Sequence, residues 1–504
     1  MVLQRFPHSA VVWGYADSGS KISLFLKNKE YNSITENKIG YKSPVWRIQI
    51  DPISDTNPFD LEFTETKTDN KTSKIYLRNI LFGDVWLCGG QSNMQLTLNV
   101  TEDGQQEFTI AHEFKNKIRL FTVQQHFADQ PQYDLLQIKQ NWSEPSLESL
   151  RSYGWEYFSA VCWHFGKKLS QNLEHPIGLI VNCWGGSEIE RWMSPDMLKK
   201  CDIPNTNSNH SQLWYSMIHP FLTFPIYGVV WYQGESNTWY NRDKYGCNFE
   251  SMVSKWRELW YENTKGSTNP SYPFGLVQLA NSEKEGDFVD KWAWTRWEQT
   301  SGYGYCPNEK LKNVFMATAV DLIDNGDDPI HPRKKSDVGI RLGLGALNLG
   351  YNKTLEFAAP RVKKVIEEEK ILRIEFQSDF GRFEFDEKKY SINKKGFDLC
   401  CDTDDCFKDD NMNWFVLKDF QVLNDSVLLE KPSGCTKSKY VRYLWRHKPC
   451  EYKMCPLYSK TSSLPVTPFL SEVVLSGNRG MRVNFNYVNY FIIFFIFCFT
   501  TNHV

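Results

Sequence analysis

Residues Asp84–Met94 read DVWLCGGQSNM: an apolar strand, a Gly-Gly turn, and a serine where a helix should begin. Ser92 therefore stands at the carboxyl end of a strand, with its hydroxyl exposed. Glycines allow the tight turn. A helix N-terminus offers N–H groups and a positive dipole end to an anion. These are the provisions a nucleophile needs when its attack creates an oxyanion. Such a serine needs partners from elsewhere in the chain.

From Asp84 onward the apolar runs VWLC, IRLFTV, IGLIVNCW, YGVVWYQ, FGLVQL and VFMATAV recur. The stretches between them can hold helices, expected over Ser159–Leu173, Asn248–Glu262 and Ser336–Leu349. Buried strands alternating with helices predict an α/β region with a parallel sheet covered on both faces. Upstream, AVVWGY, KISLFL, WRIQI and LEFTET are short, turn-bounded strand signals. Beyond Tyr351 the strands return as ILRIEF, WFVLKDF, SVLLE and YVRYLW. With 504 residues, two or three domains are expected. The expected division is a β-rich region over 1–80, an α/β catalytic region over 81–350, a cysteine-rich β-region over 351–480 and an apolar tail over 481–504.

The 58 Lys and Arg against 60 Asp and Glu give no dominant basic field, which excludes a polyanion partner such as nucleic acid. The 18 tryptophans suit sugar-facing loops and core filling equally. Of the 13 cysteines, Cys400, Cys401, Cys406, Cys435, Cys450 and Cys455 crowd the C-terminal part. Their spacing lacks paired zinc knuckles, so disulfides are expected there and no metal. The odd count leaves a free thiol, with Cys88, Cys183 and Cys498 as candidates. Glycosylation acceptors at Asn70, Asn99, Asn141, Asn209, Asn352 and Asn424, together with the cysteines, favour a secreted or lysosomal route. The opening Met1–Gln4 has no leader pattern, so either a signal peptide is missing from this sequence or a cytosolic form exists. Tyr490–Phe499 is strongly apolar but about half the ~20 residues of a spanning helix. A lipid-anchor signal there is conceivable on composition, yet membrane anchoring is not expected.

In an open α/β sheet the ligand crevice lies beyond the carboxyl ends of the strands. Four segments with chemical content fall there. Ser92 follows the first strand; Gly185 and Gly186 follow IGLIVNCW, before a helix expected near Ser187; Gln233, Gly234, Glu235, Ser236 and Asn237 follow YGVVWY; and Asp321, Asp324, Asp327, Asp328 and His331 follow VFMATAV. Together they supply what acyl transfer requires. A serine needs a base tuned near working pH, and the imidazole of His331 fits. Asp328, three positions before it in DDPIHP, would orient the ring, with Asp327, Asp324 and Asp321 as the other candidates. His219 is the rival base. It lacks the nearby orienting carboxylate that His331 has, so it is read as structural. The oxyanion hole would use the Ser92 N–H, a Gly185 or Gly186 N–H, and the Gln233 amide. Asn93, Glu235 and Glu190 are expected to support these groups or touch substrate. No phosphate loop, HExxH or G-x-S-x-G elbow is present.

The set GDVWLCGGQSNM, WGGSEIERW, VVWYQGESN and IHPRKK resembles the SGNH-type carbohydrate esterases, and among them the sialate O-acetylesterases. The likeness runs from MVLQRFPHSAVVWGY to PCEYKMCPLY and LPVTPF, nearly the whole chain. It implies a flavodoxin-like three-layer core and a serine esterase that removes O-acetyl groups from sialic acids through an acetyl-enzyme, without cofactor. It also implies O-acetylated sialoglycans as the substrate partner. By position it makes Ser92 the nucleophile, His331 the base, and Gly185, Gly186 and Gln233 the oxyanion elements. Glu188 and Arg191 depart from the family pattern, which bears on substrate preference. Two other functions remain: an acetylesterase of xylan-like glycans, which the same residues would serve, and a catalytically dead carbohydrate-binding protein, against which the intact Ser92, Gln233 and His331 speak.

Overall fold

The strand that leads to Ser92 is much longer than the apolar run suggests: Thr72–Gly90 is one continuous strand. Its first half is exposed and belongs to the N-terminal β-region, where it pairs antiparallel with Phe59–Thr66. Its second half, from Ile80 on, is fully buried at the centre of a parallel sheet. The computed structural model describes residues 1–476 except 152–154, 156, 205–206, 281–290, 324–327, 329, 383, 387–395, 404–405 and 408–412. The apolar tail and Cys498 lie outside the described residues.

The central sheet runs in the order Val314–Thr318, Phe274–Gln278, Gly228–Tyr232, Thr72–Gly90, Ile177–Cys183, Ile118–Val123, Ile138–Ser143. All its pairings are parallel except that of the edge strand Ile138–Ser143. The six apolar runs read from the sequence are its six parallel strands. Strand alternation divides the core. Trp86 and Cys88 face a cluster with Phe165 and Leu342, whereas Val85 and Leu87 face one with Trp256 and Trp260. Each such large apolar side chain taken out of water contributes about 1.5–3 kcal/mol. The expected helices appear as Ala160–Ser170, Tyr245–Asn263 and Lys335–Leu349. Ser159 caps the first of them by accepting from the Cys162 N–H.

The two helices expected at the rim are short. Ser92 opens only a single turn, Ser92–Gln95, and the helix expected near Ser187 is a short 3₁₀ turn, Ile189–Trp192. Neither is long enough to build a macrodipole, so an anion at this rim would meet individual N–H groups.

Register sets the site. Gly90 lies opposite Cys183 on one side and Tyr232 on the other. The residues that follow, Ser92, Gly185 and Gln233, therefore leave the sheet at one level. Gly90 has φ of +138°, and a Cβ there would lie 2.1 Å from the Tyr232 carbonyl oxygen, so only glycine passes this turn.

The C-terminal region is an eight-stranded sheet. It is joined to the α/β region through Arg296, which is fully buried and donates to the carbonyls of Leu279, Ala280, Arg446 and His447. All six crowded cysteines are paired, as Cys400–Cys406, Cys401–Cys435 and Cys450–Cys455. That leaves no thiolate among them for zinc. Cys201–Cys247 and Cys88–Cys162 complete the five described disulfides. Cys88 is thus not a free thiol: it faces the helix Ala160–Ser170 and is bonded to it. Cys183 and Cys306 are the free cysteines among the described residues, both buried. Five of the six glycosylation acceptors are exposed, and Asn99 is half-buried.

Candidate active site

Ser92 and His331 lie 239 positions apart in sequence and meet at the rim, Oγ to Nε2, at 2.9 Å. The other ring nitrogen, Nδ1, lies 2.6 Å from Asp328 Oδ2. A carboxylate can only accept, so Nδ1 carries the hydrogen and Nε2 accepts from the serine hydroxyl. Asp328 is itself held by the loop it belongs to: its Oδ1 accepts from the Ile330 and His331 N–H groups at 3.1 and 3.2 Å. Partial burial pushes this carboxyl up. The hydrogen bond and charge of His331 and the two backbone N–H groups outweigh that and hold it below its ordinary value. The indole of Trp155 stands edge-on to the His331 ring, with centroids 4.8 Å apart.

The other carboxylate candidates are elsewhere. Asp321 is fully buried in a two-pronged ion pair with Arg341 and accepts from the Tyr458 hydroxyl. Asp324 and Asp327 lie outside the described residues. His219 is engaged elsewhere: its Nδ1 bonds the Gln132 carbonyl at 2.7 Å, and its ring packs on Tyr133.

Ser92 and His331 open onto a cavity of about 510 Å³. Its walls are Trp155, Trp184, Trp239, Trp292 and Ile330, and its polar lining includes Gln91, Gln95, Gln125, Glu235 and Ser236. The tryptophans thus serve both readings: Trp86, Trp163, Trp192, Trp231, Trp256 and Trp260 fill the core, while others wall the cavity. Arg191 and Glu188, the departures from the family pattern, form an ion pair at 2.7 Å. Arg191 lies over Phe127, which stacks on Trp184 at 4.2 Å between centroids.

Gly185 and Gly186 line the cavity beside the serine. A Cβ built on Gly185 would lie 3.4 Å from Ser92 Cβ, and Gly186 has φ of +70°, a glycine conformation. The Gly185 N–H is engaged at 2.8 Å by Gln95 Oε1, whose amide end donates to the Trp155 carbonyl. Gln95 carried no mark in the sequence beyond closing the turn that Ser92 opens.

Gln233 does not occupy the place expected of it. It is fully buried and absent from the cavity wall. Its amide donates to the Asn237 side-chain oxygen at 2.7 Å and to the Ser187 carbonyl at 3.2 Å. An amide has two hydrogens, and both are spent, so neither is left for an oxyanion. Its Oε1 accepts from the Tyr245 hydroxyl. Gln233 ties the loop after its own strand to the glycine-bearing loop. Glu190 belongs to the same buried layer, accepting from the amides of Asn237, Asn241 and Asn248. Burial raises its carboxyl above the ordinary value despite the Asn237 hydrogen bond.

Asn93 and Glu235 are nearer the chemistry. The Asn93 amide donates to Glu235 Oε1 and, at 2.9 Å, to the carbonyl of Ile330, the residue before His331. On the other side of the serine, Gln91 Oε1 accepts from the Gly234 and Ser236 N–H groups, each at 3.3 Å. The two neighbours of Ser92 thus grip the loop around Glu235 from either side.

Residues 82–345 match the family described as carbohydrate esterase, sialic acid-specific acetylesterase. Residues 362–473 match the sialate O-acetylesterase C-terminal domain. These matches put the chain in the class of carbohydrate esterases. It is 36% identical over 495 residues to a sialate O-acetylesterase of Homo sapiens, covering 95% of this chain and 92% of that one. It is 33% identical over 526 residues to the sialate O-acetylesterase of Mus musculus, covering 95% and 94%. The chain belongs to the sialate O-acetylesterase family. Among solved structures, a carbohydrate acetylesterase from Xanthomonas citri is similar over 93% of this chain and 96% of that chain, with a TM-score of 0.75 at 27% identity.

Proposed function

We propose that this protein is a serine esterase that removes O-acetyl groups from sialic acids. The observation that carries the reading is the continuous line from Ser92 Oγ through the His331 ring to Asp328. The family's name supplies the substrate class. Ser92 attacks the acetyl carbonyl while His331 Nε2 takes the hydroxyl proton. Asp328 holds the ring's tautomer and stabilises the imidazolium. The tetrahedral anion is held by the Ser92 N–H and by the Gly185 and Gly186 loop, the Gly185 N–H becoming available when Gln95 moves aside. His331 then gives its proton to the departing sugar oxygen. Water, activated by the same imidazole, clears the acetyl-enzyme.

The core is best described as flavodoxin-like, three-layered and of the SGNH type, occupying 81–350 between a β-rich region at 1–80 and another at 351–480. The parallel sheet with helices on both faces and the two separate family matches support that division. Five disulfides fit a secreted or lysosomal setting.

The test is acetate release from a 9-O-acetylated sialoside. Ser92→Ala should lower turnover about 10⁴–10⁶-fold with the fold intact. A variant that keeps near-wild-type activity would remove Ser92 from the mechanism.

A further inference from the structure

Lys335 is fully buried, and it is the first residue of the helix Lys335–Leu349. Both circumstances disfavour an ammonium. Burial strips its hydration, and a helix N-terminus repels a cation. Its neighbour in sequence, Lys334, takes the ordinary course and pairs with Glu102 at the surface. A cation kept in such a place must be compensated by what surrounds it. Lys335 Nζ donates to Asn93 Oδ1 and lies 5.3 Å from the centre of the Tyr232 ring. Burial raises the Glu235 carboxyl above its ordinary value, and the Asn93 hydrogen bond and the charge of Lys335 work against that rise.

Asn93 is the joint in this arrangement. Its oxygen is fixed by Lys335; its amide hydrogens go to Glu235 and to the Ile330 carbonyl. An asparagine adjoining the nucleophile is thereby bound to the loop that carries the base. If the Lys335 bond were absent, the amide plane could rotate and release both of its other contacts. The 2.9 Å Ser92–His331 approach depends on two loops 239 positions apart in sequence holding register. A misplacement of about 1 Å in such a pair can cost on the order of 10²-fold in rate.

We infer that Lys335 is a positioning residue for the esterase reaction: through Asn93 it locks the Ser92 turn, Glu235 and the His331 loop into one rigid unit. The inference rests on the serine-esterase reading above. It names a residue that touches neither substrate nor the reacting atoms.

The experiment is a double-mutant cycle of Lys335→Met and Asn93→Ala. It is read as kcat and KM on a 9-O-acetylated sialoside, per active site titrated to completion with a fluorophosphonate. Lys335→Met should lower kcat about 10–100-fold with KM within about threefold of wild type. The double variant should lose no more than Asn93→Ala alone, because both changes break one joint. The inference is overturned if Lys335→Met keeps kcat within about threefold of wild type, or if the two losses multiply. Should Lys335→Met fail to fold, Lys335→Gln takes its place in the same cycle. It retains a donor of shorter reach without the charge, and the same two criteria apply to it. A wild-type protein without esterase activity, or an active Ser92→Ala, would instead defeat the parent reading.

Discussion

Asp321 and Asp328 both follow the strand Val314–Thr318, yet their surroundings differ sharply. Asp321 is fully buried and shared between regions: it holds Arg341 of the α/β region and receives the Tyr458 hydroxyl of the C-terminal region, while its carbonyl accepts from the Lys453 N–H. Asp328 is half exposed and holds one imidazole. The first carboxylate is surrounded by fixed donors and can do nothing further. The second is attached to a ring whose far nitrogen is free to pass a proton. Local composition does not separate them; what separates them is whether the partner has a second functional end.

The comparison can be broken in order of expected effect. Asp328→Asn should lower kcat by about 10³–10⁴-fold on an acetylated sialoside with little change in melting, because an amide can hold the imidazole in the wrong tautomer. Activity within tenfold of wild type would show that another carboxylate serves the ring. Asp321→Asn should do the reverse. It leaves the buried Arg341 charge uncompensated, at a cost of about 3–5 kcal/mol in unfolding free energy. Turnover per titrated site should stay within about threefold, and a large loss of turnover in the folded fraction would erase the distinction. Gln95→Ala is smaller. It bares the Gly185 N–H in the resting protein, so KM for the ester should fall about two- to fivefold, in keeping with one neutral hydrogen bond no longer displaced. A rise in KM would mean that Gln95 holds substrate. The smallest effect is on pH dependence. The Asp328 carboxyl sits below its ordinary value in the folded state, so its stabilising share is present above the unfolded value and is lost as pH falls through the folded one. The melting temperatures of wild type and Asp328→Asn should therefore differ slightly at neutral pH and converge in acid. A gap that widens toward acid would reverse the sign.

Much of this was legible in the sequence, for a physical reason. Six parallel strands showed themselves because a strand buried on both faces must be apolar throughout, and VWLC or IGLIVNCW has no other economical reading. Ser92 stood out because it sits just past such a strand, and His331 with Asp328 because a carboxylate three positions before an imidazole is a pairing that the sequence itself displays. What was missed depends on partners far off in the chain. Cys88 reads as a lone core thiol until Cys162 of the neighbouring helix is seen beside it. Gln233 has the chemistry of an oxyanion donor, but Ser187 and Asn237 reach its amide first. Gln95 and Lys335 gave no local signal, since a glutamine in a turn and the second lysine of a basic pair are surface residues on average.

The unbroken strand Thr72–Gly90 has a consequence for how this protein can be divided. Val2–Gln4 pairs with Leu81–Gly83 of that strand, and the Met1 carbonyl receives the Leu81 N–H. A fragment starting at residue 81 would begin partway along its own central beam, with a row of backbone groups stripped of their mates. The amino-terminal sheet is therefore no detachable cassette. It is the outboard end of the same girder that carries Ser92, and the two ends stand or fall as one piece.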